Sequence, residues 1–483
     1  MAEGTMAPDL SVLFAGKIHS PNPFWLASAP PTNCGEQVMR AFDAGWGGAV
    51  WKTLGDPIVN VSSRYSSVDW NGHRMMGLNN IELITDRPLL TNLREIAEVK
   101  KRYPKHALIA SLMVESRREA WHKIVQQSED AGADGLELNF GCPHGMSERG
   151  MGSAVGQVPE YTEMITAWVK EKARTPVLVK LTPNITDIRA VARAAKRGGA
   201  DGLSAINTIN SITGIDLDTF IPRPNVDGKS SHGGYCGPAV KPIALNLVQQ
   251  VQSDPEAALP LSGIGGISDW RDAVEFLLLG CSTVQVCTAV MHYGYRIIEE
   301  MTDGLANWMV EKGFSKISDF EAKSLRHVEE WKHLNLNYKI VARIQEEKCI
   351  GCQLCYTACW DGAHQCIHMD RVGPVAETAA GHNDRHPTPA RREAQSREVI
   401  AVTPIPKLDH ASSVNGSEPY PTPLGRIPRV DESECVGCNL CYLVCPVPGC
   451  ITMEQIDLGL PPQSWEERTA SAPTPPITGR NCD

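Results

Sequence analysis

Two short runs of cysteines have a spacing that is typical of metal-cluster ligands. The runs "CIGCQLCYTAC" and "CVGCNLCYLVCP" both follow the pattern C-x2-C-x2-C-x3-C. In chains with two such motifs, three thiolates bind one [4Fe-4S] cubane and the fourth binds the other. The spacing therefore predicts two clusters with crossed ligand sets. The first set is Cys349, Cys352, Cys355 and Cys445, and the second is Cys435, Cys438, Cys441 and Cys359.

Zinc is the alternative metal for these thiols, because C-x2-C pairs also occur in zinc ribbons. Four cysteines per motif, present twice, favour iron–sulfur clusters. The first motif has Trp360 where a proline is usual, and Cys366, Cys450 and Cys482 fall outside both motifs. We expect these three to pack or to remain free thiols. Iron–sulfur clusters transfer single electrons, so the rest of the chain should hold an electron acceptor.

A third stretch contains residues that could take part in catalysis: "LELNFGCPHGMSERGMGS", residues 136–153. An apolar run ends there at Asn139, and Cys142 and His144 follow in a glycine-rich loop. A thiol with a pKa of about 8.5 is neutral at pH 7 and can donate a proton. The glycines indicate a mobile lid that brings this thiol over a ligand and moves it away again.

Eight apolar runs of strand length must position these side chains. The runs are 24–29, 47–52, 107–112, 135–140, 176–181, 202–207, 259–264 and 282–287. Amphipathic stretches between them, such as 118–133 and 186–200, end in Gly-Ala before the next run, as helix C-caps do. Eight strands that alternate with helices predict an α/β fold, a (β/α)8 TIM barrel. The cysteine motifs predict a two-[4Fe-4S] ferredoxin-like domain after it.

Polar residues follow the predicted strands rather than precede them, as the chemistry of such barrels requires. These positions are Lys52-Thr53, 139–144, 180–182, Asn207-Thr208, 263–266 and Cys287-Thr288. The stretches "GIGGIS" and "CTA" follow strands seven and eight, where backbone N–H groups often bind a phosphate. "GIGGIS" lacks the sixth-position glycine and the ribose-binding acid of a dinucleotide site. The chain therefore offers a mononucleotide site and no NAD site.

The bulk composition excludes several classes of partner. The 483 residues are 42% hydrophobic, carry a formal charge of -10 and have their basic residues scattered, so we expect no nucleic-acid partner. No apolar run of 18 residues and no leader-like start is present, which predicts no membrane association and a cytoplasmic location. Sixteen cysteines in a reducing compartment again indicate metal rather than disulfides.

These features predict four regions along the chain. Residues 1–310 form the barrel, and 311–345 form a helical connection. Residues 346–460 form the cluster domain, with a long Pro-rich insert at about 371–430. Residues 461–483 form a disordered tail.

Six stretches of the first region resemble the FMN barrel of dihydropyrimidine dehydrogenase. They are "GLNNIELIT", "NFGCPHGMSERGMG", "KLTPNITDI", "INTIN", "GGYCGPAVKPIAL" and "QVCTA", and the cysteine motifs are similar to the C-terminal domain of that family. The resemblance covers roughly residues 10–310 and 345–455. It implies reduction of uracil or thymine to the 5,6-dihydropyrimidine, with FMN and two [4Fe-4S] clusters as cofactors. It also implies a separate subunit with FAD and the NAD(P)H site, in a hetero-oligomer such as a heterotetramer.

The resemblance implies a role for each matching residue. Cys142 would protonate pyrimidine C5 while FMN gives hydride to C6. The substrate-binding set is Asn80, Glu82, Asn139, His144, Asn207 and Thr208. The cofactor-binding set is Ala27, Ser28, Lys52, Thr53, Lys180, Gly237, Gly265, Gly266, Cys287 and Thr288. Amide side chains complement the alternating C=O and N–H edge of uracil, and lysines would stabilise an anionic reduced flavin. Gly141 and Cys236 stand where the family resemblance leads us to expect serines.

Three other functions compete with this interpretation. Dihydroorotate dehydrogenase has the same barrel and FMN, but normally has asparagine at the position of His144 and no fused ferredoxin. A tRNA-dihydrouridine synthase has a similar "GCP" strand end, but the acidic charge and the eight cluster cysteines disfavour it. An electron-transfer subunit with an inert barrel would leave the polar residues at the strand ends without a role.

Overall fold

The computed structural model describes residues 7–70, 73–371 and 426–470. The chain divides into two compact units, Met1–Val328 and Glu329–Asp483. Most of the predicted Pro-rich insert, 372–425, lies outside the described residues.

The first unit contains a closed parallel barrel of eight strands, which we number β1 to β8. In chain order they are Phe24–Leu26, Gly48–Leu54, Ala107–Leu112, Gly135–Asn139, Val177–Lys180, Gly202–Ala205, Leu261–Ile264 and Cys281–Val286. Each strand pairs with the next one along the chain, and β8 pairs with β1 to close the ring. Every strand overlaps one of the eight predicted runs, so the predicted (β/α)8 barrel is confirmed.

Eight helices, α1 to α8, follow the strands in alternation. They are Gly35–Ala44, Leu89–Arg102, Arg118–Asp130, Pro159–Lys170, Ile188–Arg197, Lys241–Gln252, Trp270–Leu278 and Ile297–Lys312. Two of them end as the Gly-Ala signals predict, because Gly132 after α3 and Gly199 after α5 have φ of +95° and +89°. Only glycine adopts this backbone conformation at little cost, so the chain turns there towards the next strand.

The interior of the barrel changes from apolar to polar along the strands. Near their amino ends, Val50, Ile109 and Leu178 belong to one buried cluster, which the amino-terminal hairpin of Val12–Phe14 and Ile18–Ser20 completes with Phe14 and Ile18. Two residues further along the same strands, the inward positions are Lys52, Ser111 and Lys180. Successive side chains on one face of a strand are two residues apart, so this change lies inside the barrel.

A second sheet in the same unit was not predicted from the sequence. Its four antiparallel strands have the order Ile209–Ser211, Gly233–Cys236, His73–Asn80 and Tyr65–Trp70. The first two strands have only three and four residues, and "GGYC" and "INS" lack an apolar alternation. Cross-strand pairing, rather than local preference, therefore forms this sheet.

The segment predicted as a helical connection, 311–345, is not a continuous helix. It contains short 3-10 turns at Ile317–Asp319, Leu325–His327 and Trp331–His333, and it ends in the strand Lys339–Ile344. The N–H groups of Ala322 and Ser324 donate to the carbonyls of Leu277 and Leu278 at the end of α7, at 3.0 and 2.9 Å. These tertiary hydrogen bonds replace the ones that a helix would make within itself.

The second unit consists of two similar halves, each with a strand, a cysteine loop, a helix and a second strand. The first half has Lys339–Ile344, α9 at Leu354–Gly362 and Ile367–Arg371. The second half has Arg426–Val430, α10 at Leu440–Val444 and Ile451–Ile456. The outer strands pair with each other, and so do the inner strands. This exchange between the halves fits the predicted ferredoxin-like domain.

The predicted disordered tail, 461–483, is described only in part. A short helix, Trp465–Ala470, lies within it, and residues 471–483 are outside the described residues. The order of the tail beyond 470 stays a prediction. Among the helices of the described ranges, none is long and apolar enough to cross a membrane.

Candidate active site and metal centres

The carboxyl ends of the barrel strands open into a cavity of about 1160 Å³, with the solvent at its mouth included. All the barrel residues that the sequence assigned to catalysis, substrate or cofactor line this one cavity. They are Ala27, Ser28, Lys52, Thr53, Asn80, Glu82, Asn139, Cys142, His144, Lys180, Asn207, Thr208, Gly237, Gly265, Gly266, Cys287 and Thr288. The structure thus brings them together, while the role of each residue stays a prediction.

A chain of hydrogen bonds crosses the cavity wall from β1 to the end of β6. Ser28 Oγ lies 3.1 Å from Thr53 Oγ1, which accepts from Asn139 Nδ2 at 2.9 Å. Asn139 Oδ1 accepts from Asn207 Nδ2 at 2.9 Å, and Asn207 Oδ1 accepts from the Thr208 N–H at 2.8 Å. Because each amide has a fixed partner, its orientation is set before any ligand arrives.

His144 is almost fully buried, and a hydrogen bond to the backbone of Glu82 fixes its ring. Its Nε2 lies 3.0 Å from the carbonyl oxygen of Glu82, so Nε2 carries the proton and donates. Nδ1 is then an acceptor, and it has no hydrogen-bond partner among the described residues. Burial lowers the pKa of His144 and keeps the ring neutral. Asn80 Nδ2 donates to the Gly234 carbonyl at 3.1 Å, which fixes its side chain as well.

Cys142 follows β4 in the loop that carries His144. Its Sγ lies 3.5 Å from the His144 carbonyl oxygen, and Gly152 packs so closely that a Cβ there would lie 2.8 Å from the Cys142 carbonyl oxygen. Part of the thiol reaches the cavity, but the protein around it removes most of its water. This desolvation raises the pKa of Cys142 to about 11. The thiol is therefore protonated at neutral pH.

Two lysines point into the cavity, and both have carboxylate partners. Lys52 forms an ion pair with Glu82, which also accepts a hydrogen bond from Tyr65. Lys180 lies 3.5 Å from Glu137, whose side chain is fully buried inside the barrel. A buried charge is costly unless it is paired, so the carboxylate partners offset the cost of burying these lysines inside the barrel mouth.

The loop after β7 forms a narrow cradle that suits a phosphate. Gly265 and Gly266 have φ of +134° and +78°, and their N–H groups have no acceptor among the described residues. A Cβ on Gly266 would lie 2.8 Å from the Lys241 backbone nitrogen and 2.9 Å from the Gly237 carbonyl oxygen. Free backbone N–H groups without side chains in front of them are the usual partners of a phosphate.

Gly141 and Cys236, the two departures from the family resemblance, have clear surroundings. A Cβ on Gly141 would lie 2.4 Å from Asn207 Cβ, so a serine does not fit there unless Asn207 moves. Cys236 Sγ lies 3.1 Å from the Leu78 carbonyl oxygen and accepts from Thr288 Oγ1 at 3.3 Å. A serine hydroxyl could make the same two contacts at this position.

The sequence analysis missed several cavity residues, among them Tyr65, Tyr235 and Gln285. Tyr65 and Tyr235 come from the unpredicted antiparallel sheet, and no pattern in the sequence marked them. Gln285 had a signal, because it is a polar residue within the apolar run "STVQVC". Its Nε2 donates to Glu137 at 3.1 Å deep in the barrel.

Two smaller cavities in the second unit collect the cysteines. One is lined by Cys349, Cys352, Cys355, Cys445 and Cys450, and the other by Cys359, Cys366, Cys435, Cys438 and Cys441. Each cavity thus contains one of the two predicted crossed ligand sets and one surplus cysteine. The two cysteine loops also share their backbone: Gly351 and Gly437 have φ of +68° and +71°. This conformation folds each loop back on itself and brings its thiols together.

Comparison with known families matches both units. The family described as "Dihydroorotate dehydrogenase" matches residues 17–309. The family described as "4Fe-4S binding domain" matches residues 428–448, which contain the second cysteine motif. The comparison thus identifies one iron–sulfur motif.

Individual relatives extend over most of the chain. The subunit PreA of NAD-dependent dihydropyrimidine dehydrogenase from Escherichia coli is 46% identical over 364 residues, which are 75% of this chain and 88% of the relative. The chloroplastic dihydropyrimidine dehydrogenase (NADP(+)) of Arabidopsis thaliana is 44% identical over 332 residues, 66% of this chain and 78% of the relative. The catalytic subunit of dihydroorotate dehydrogenase B from Pyrococcus horikoshii is 35% identical over 305 residues, 63% of this chain and 94% of the relative. The chain therefore belongs to the family of the PreA subunits of NAD-dependent dihydropyrimidine dehydrogenase, with a dihydroorotate dehydrogenase barrel joined to an iron–sulfur domain.

Proposed function

We propose that this chain is the pyrimidine-reducing subunit of an NAD-dependent dihydropyrimidine dehydrogenase, which converts uracil or thymine to the 5,6-dihydropyrimidine. One observation carries the proposal: the asparagines, the protonated thiol and the paired lysines all line a single cavity at the mouth of the barrel. The names of the bacterial and plant relatives support the same activity.

The amide side chains hold the pyrimidine ring in this proposal. Asn80 has its Nδ2 bound to the protein, which leaves its Oδ1 for the ligand. Asn207 has both ends bound, but its Nδ2 keeps a second N–H and its Oδ1 a second lone pair for the ligand. Uracil presents alternating carbonyl and N–H groups, and an amide offers an acceptor beside a donor. Thr208 adds a hydroxyl next to Asn207, and Asn139 fixes Asn207 from behind. Because the amides are fixed in advance, binding orders few side chains.

Cys142 is the proton donor at C5. A conjugated C=C–C=O group that accepts hydride at one carbon needs a proton at the next, and the thiol holds that proton on Sγ. Its pKa of about 11 keeps it protonated at neutral pH. The weak contact of Sγ with the His144 carbonyl, at 3.5 Å, leaves the proton free to move to the ligand. Neutral His144 supports this loop through its bond to Glu82.

The mononucleotide in this proposal is FMN. When bound, FMN supplies the hydride for C6. The N–H groups of Gly265 and Gly266 would hold its phosphate, and Lys52 and Lys180 would face the ring system, where their charges favour an anionic flavin. Ala27, Ser28, Thr53, Gly237, Cys287 and Thr288 complete the proposed set. The unpartnered N–H groups and the buried cations are what this ligand requires, so the residues fit it.

We further propose two [4Fe-4S] clusters in the second unit, one in each cysteine cavity. The crossed grouping of the thiols supports this number, because each cavity holds three cysteines of one motif and the fourth of the other. The cavities are about 340 and 330 Å³, with adjoining solvent included. Single electrons would reach the barrel from these clusters.

The electrons come from a separate flavoprotein with FAD and the NAD(P)H site. The Escherichia coli relative is itself described as a subunit, which supports a partner. The sequence of this chain has no dinucleotide fingerprint, which agrees with an NAD(P)H site on another chain. We propose a hetero-oligomer in the cytoplasm, a reducing compartment in which the cysteines of the described residues form no disulfides.

Dihydroorotate oxidation is the second candidate, and the Pyrococcus relative favours it. The decisive experiment is an anaerobic assay of the purified full chain with uracil, thymine and dihydroorotate, with and without an NADH-oxidising flavoprotein or an artificial donor. We expect pyrimidine reduction in the coupled assay and FMN in the sample. Turnover of dihydroorotate alone, or a flavin-free sample with intact clusters, would contradict the proposal.

A further inference from the structure

Each cysteine cavity contains a fifth thiol that the ligand sets do not use. Cys366 lies in one cavity and Cys450 in the other, and both are at least 95% buried. They occupy equivalent places, since Cys366 directly precedes Ile367–Arg371 and Cys450 directly precedes Ile451–Ile456. The repeat of the fold therefore presents a thiol at the same point of both halves.

The backbone holds these two positions rigidly. The carbonyl of Cys366 accepts from the Asp431 N–H at 2.7 Å, and the carbonyl of Cys450 accepts from the Gln345 N–H at 2.8 Å. Each donor follows a strand of the opposite half. The two thiols therefore face their cavities from anchored backbone rather than from a loose loop.

Their side chains differ in what they contact. Cys366 Sγ lies 3.5 Å from Cys359 Sγ and also contacts Cys435, so it touches two proposed ligands of one cluster. Cys450 Sγ also contacts two ligands, but it has a backbone acceptor as well, the Gln345 carbonyl oxygen at 3.7 Å. Cys366 has only sulfur neighbours among its hydrogen-bond partners in the described residues.

The distance between Cys359 and Cys366 allows either to bind the same metal. A metal–thiolate bond is about 2.3 Å long, so one iron can lie within bonding distance of two sulfurs that are 3.5 Å apart. We propose that Cys366 is a reserve ligand of the cluster held by Cys435, Cys438 and Cys441, and supplies the fourth thiolate when Cys359 does not.

The exchange balances without an electron. As Cys366 forms its bond to iron, its thiol releases a proton. In the intact chain the bond between iron and Cys359 breaks, and the Cys359 thiolate takes up a proton. The inference rests on the two-cluster content proposed above, and it does not depend on the pyrimidine substrate.

The test compares the iron content of full-length variants that are prepared anaerobically. The wild-type chain should contain about eight irons, four for each cubane. Cys359→Ala should also keep about eight, and Cys366→Ala should keep about eight, while Cys359→Ala/Cys366→Ala should fall to about four. Cys438→Ala is the matched control, because Cys366 contacts Cys359 and Cys435 but not this exposed ligand among the described residues, and it should fall to about four.

The electron paramagnetic resonance spectrum of the reduced chain gives a second readout. Cys359→Ala should retain the signal of both clusters with a changed shape for one, and the double variant should lose that signal. Cys359→Ser, with and without Cys366→Ala, repeats the comparison with a side chain that leaves no void if the alanine variant fails to fold. Loss of four irons in Cys359→Ala and in Cys359→Ser, with Cys366 intact, would overturn the proposal. A wild-type chain without eight irons would instead refute the two-cluster assignment.

Discussion

Cys142 and Cys236 are two thiols of one cavity with nearly the same acidity and different surroundings. Burial raises the pKa of both to about 11. Cys236 donates to the Leu78 carbonyl at 3.1 Å and accepts from Thr288, whereas Cys142 lies 3.5 Å from the His144 carbonyl and also contacts the backbone of Met146. A proton donor must be protonated and also free to release its proton to the ligand. Cys142 meets both conditions.

This contrast predicts that a cysteine-to-serine substitution lowers the activity at position 142 but not at position 236. Cys142→Ser should lower kcat for uracil reduction by about 100-fold or more, because a hydroxyl is a far weaker acid than a thiol. Cys236→Ser should keep most of the activity, because serine retains both hydrogen bonds. Flavin and iron contents should match the wild type in both variants. Equal losses of kcat at the two positions would remove Cys142 from the proton transfer.

The raised pKa of Cys142 predicts how its reactivity depends on pH. A thiol acts as an acid in its protonated form, which persists until the pH rises through about 11. An unperturbed cysteine would lose half of that form near pH 8.5. Iodoacetamide reacts with the thiolate, so the alkylation rate of Cys142, followed by peptide mass spectrometry, should still rise between pH 9 and 10.5. A plateau reached by pH 9 would show that the thiol is not desolvated.

The close approach of Asn207 explains why position 141 is a glycine. A Cβ there would lie 2.4 Å from Asn207 Cβ, which is not a flexible side-chain end. Gly141→Ser should therefore displace Asn207 and raise KM for uracil by roughly tenfold, ~1.4 kcal/mol of binding free energy. Gly214→Ser is the control, because Gly214 lacks a positive φ, as Gly141 does, and a Cβ there has nothing within 4 Å. An unchanged KM in Gly141→Ser would mean that Asn207 does not bind the ring.

At the scale of elements, the backbone of the loop after β7 forms the proposed phosphate cradle. Gly266→Ala would push a methyl group against Lys241 and the Gly237 carbonyl and would strain a residue at φ +78°. The purified variant should therefore lose most of its bound FMN, as measured by absorbance after denaturation, while it keeps its iron. Gly294→Ala separates the effect of steric contact from that of backbone strain, because Gly294 has φ +81° and open space around it. Flavin loss in both variants would point to backbone strain rather than to the cradle.

The elements that the sequence predicted are those with a strong local pattern. The eight barrel strands are apolar and buried on both faces, so each one stands out as a continuous run. The polar side chains of the site could be placed because they follow these runs, as Lys180 follows "PVLV" and Asn139 follows "LEL".

The elements that the sequence missed depend on distant partners. The strands Ile209–Ser211 and Gly233–Cys236 pair with each other and with His73–Asn80, over separations that no local pattern records. Tyr65 was missed together with its strand. In the same way, hydrogen bonds from Ala322 to α7 replaced the helix that the local pattern favoured in 311–345.

At the scale of the whole molecule, the two units have separate cores. The barrel unit packs its strands against α1 to α8 in one large apolar cluster. The cluster unit has a small core of buried residues. More than half of them are cysteines, namely Cys355, Cys359, Cys366, Cys435, Cys441 and Cys450. A core of this kind depends on its metal for stability, as small metal-binding domains do. The barrel does not have that dependence.

The separate cores predict that the barrel folds and binds its ligands without the cluster unit. A chain cut after Val328, at the boundary between the units, should contain FMN and no iron. With dithionite as donor it should reduce uracil, because the cavity residues all precede the cut. With NADH and the partner flavoprotein it should be inactive, since the proposed electron path is missing. Coupled activity close to that of the full chain would show that the partner reduces the barrel directly, and the clusters would then need another role.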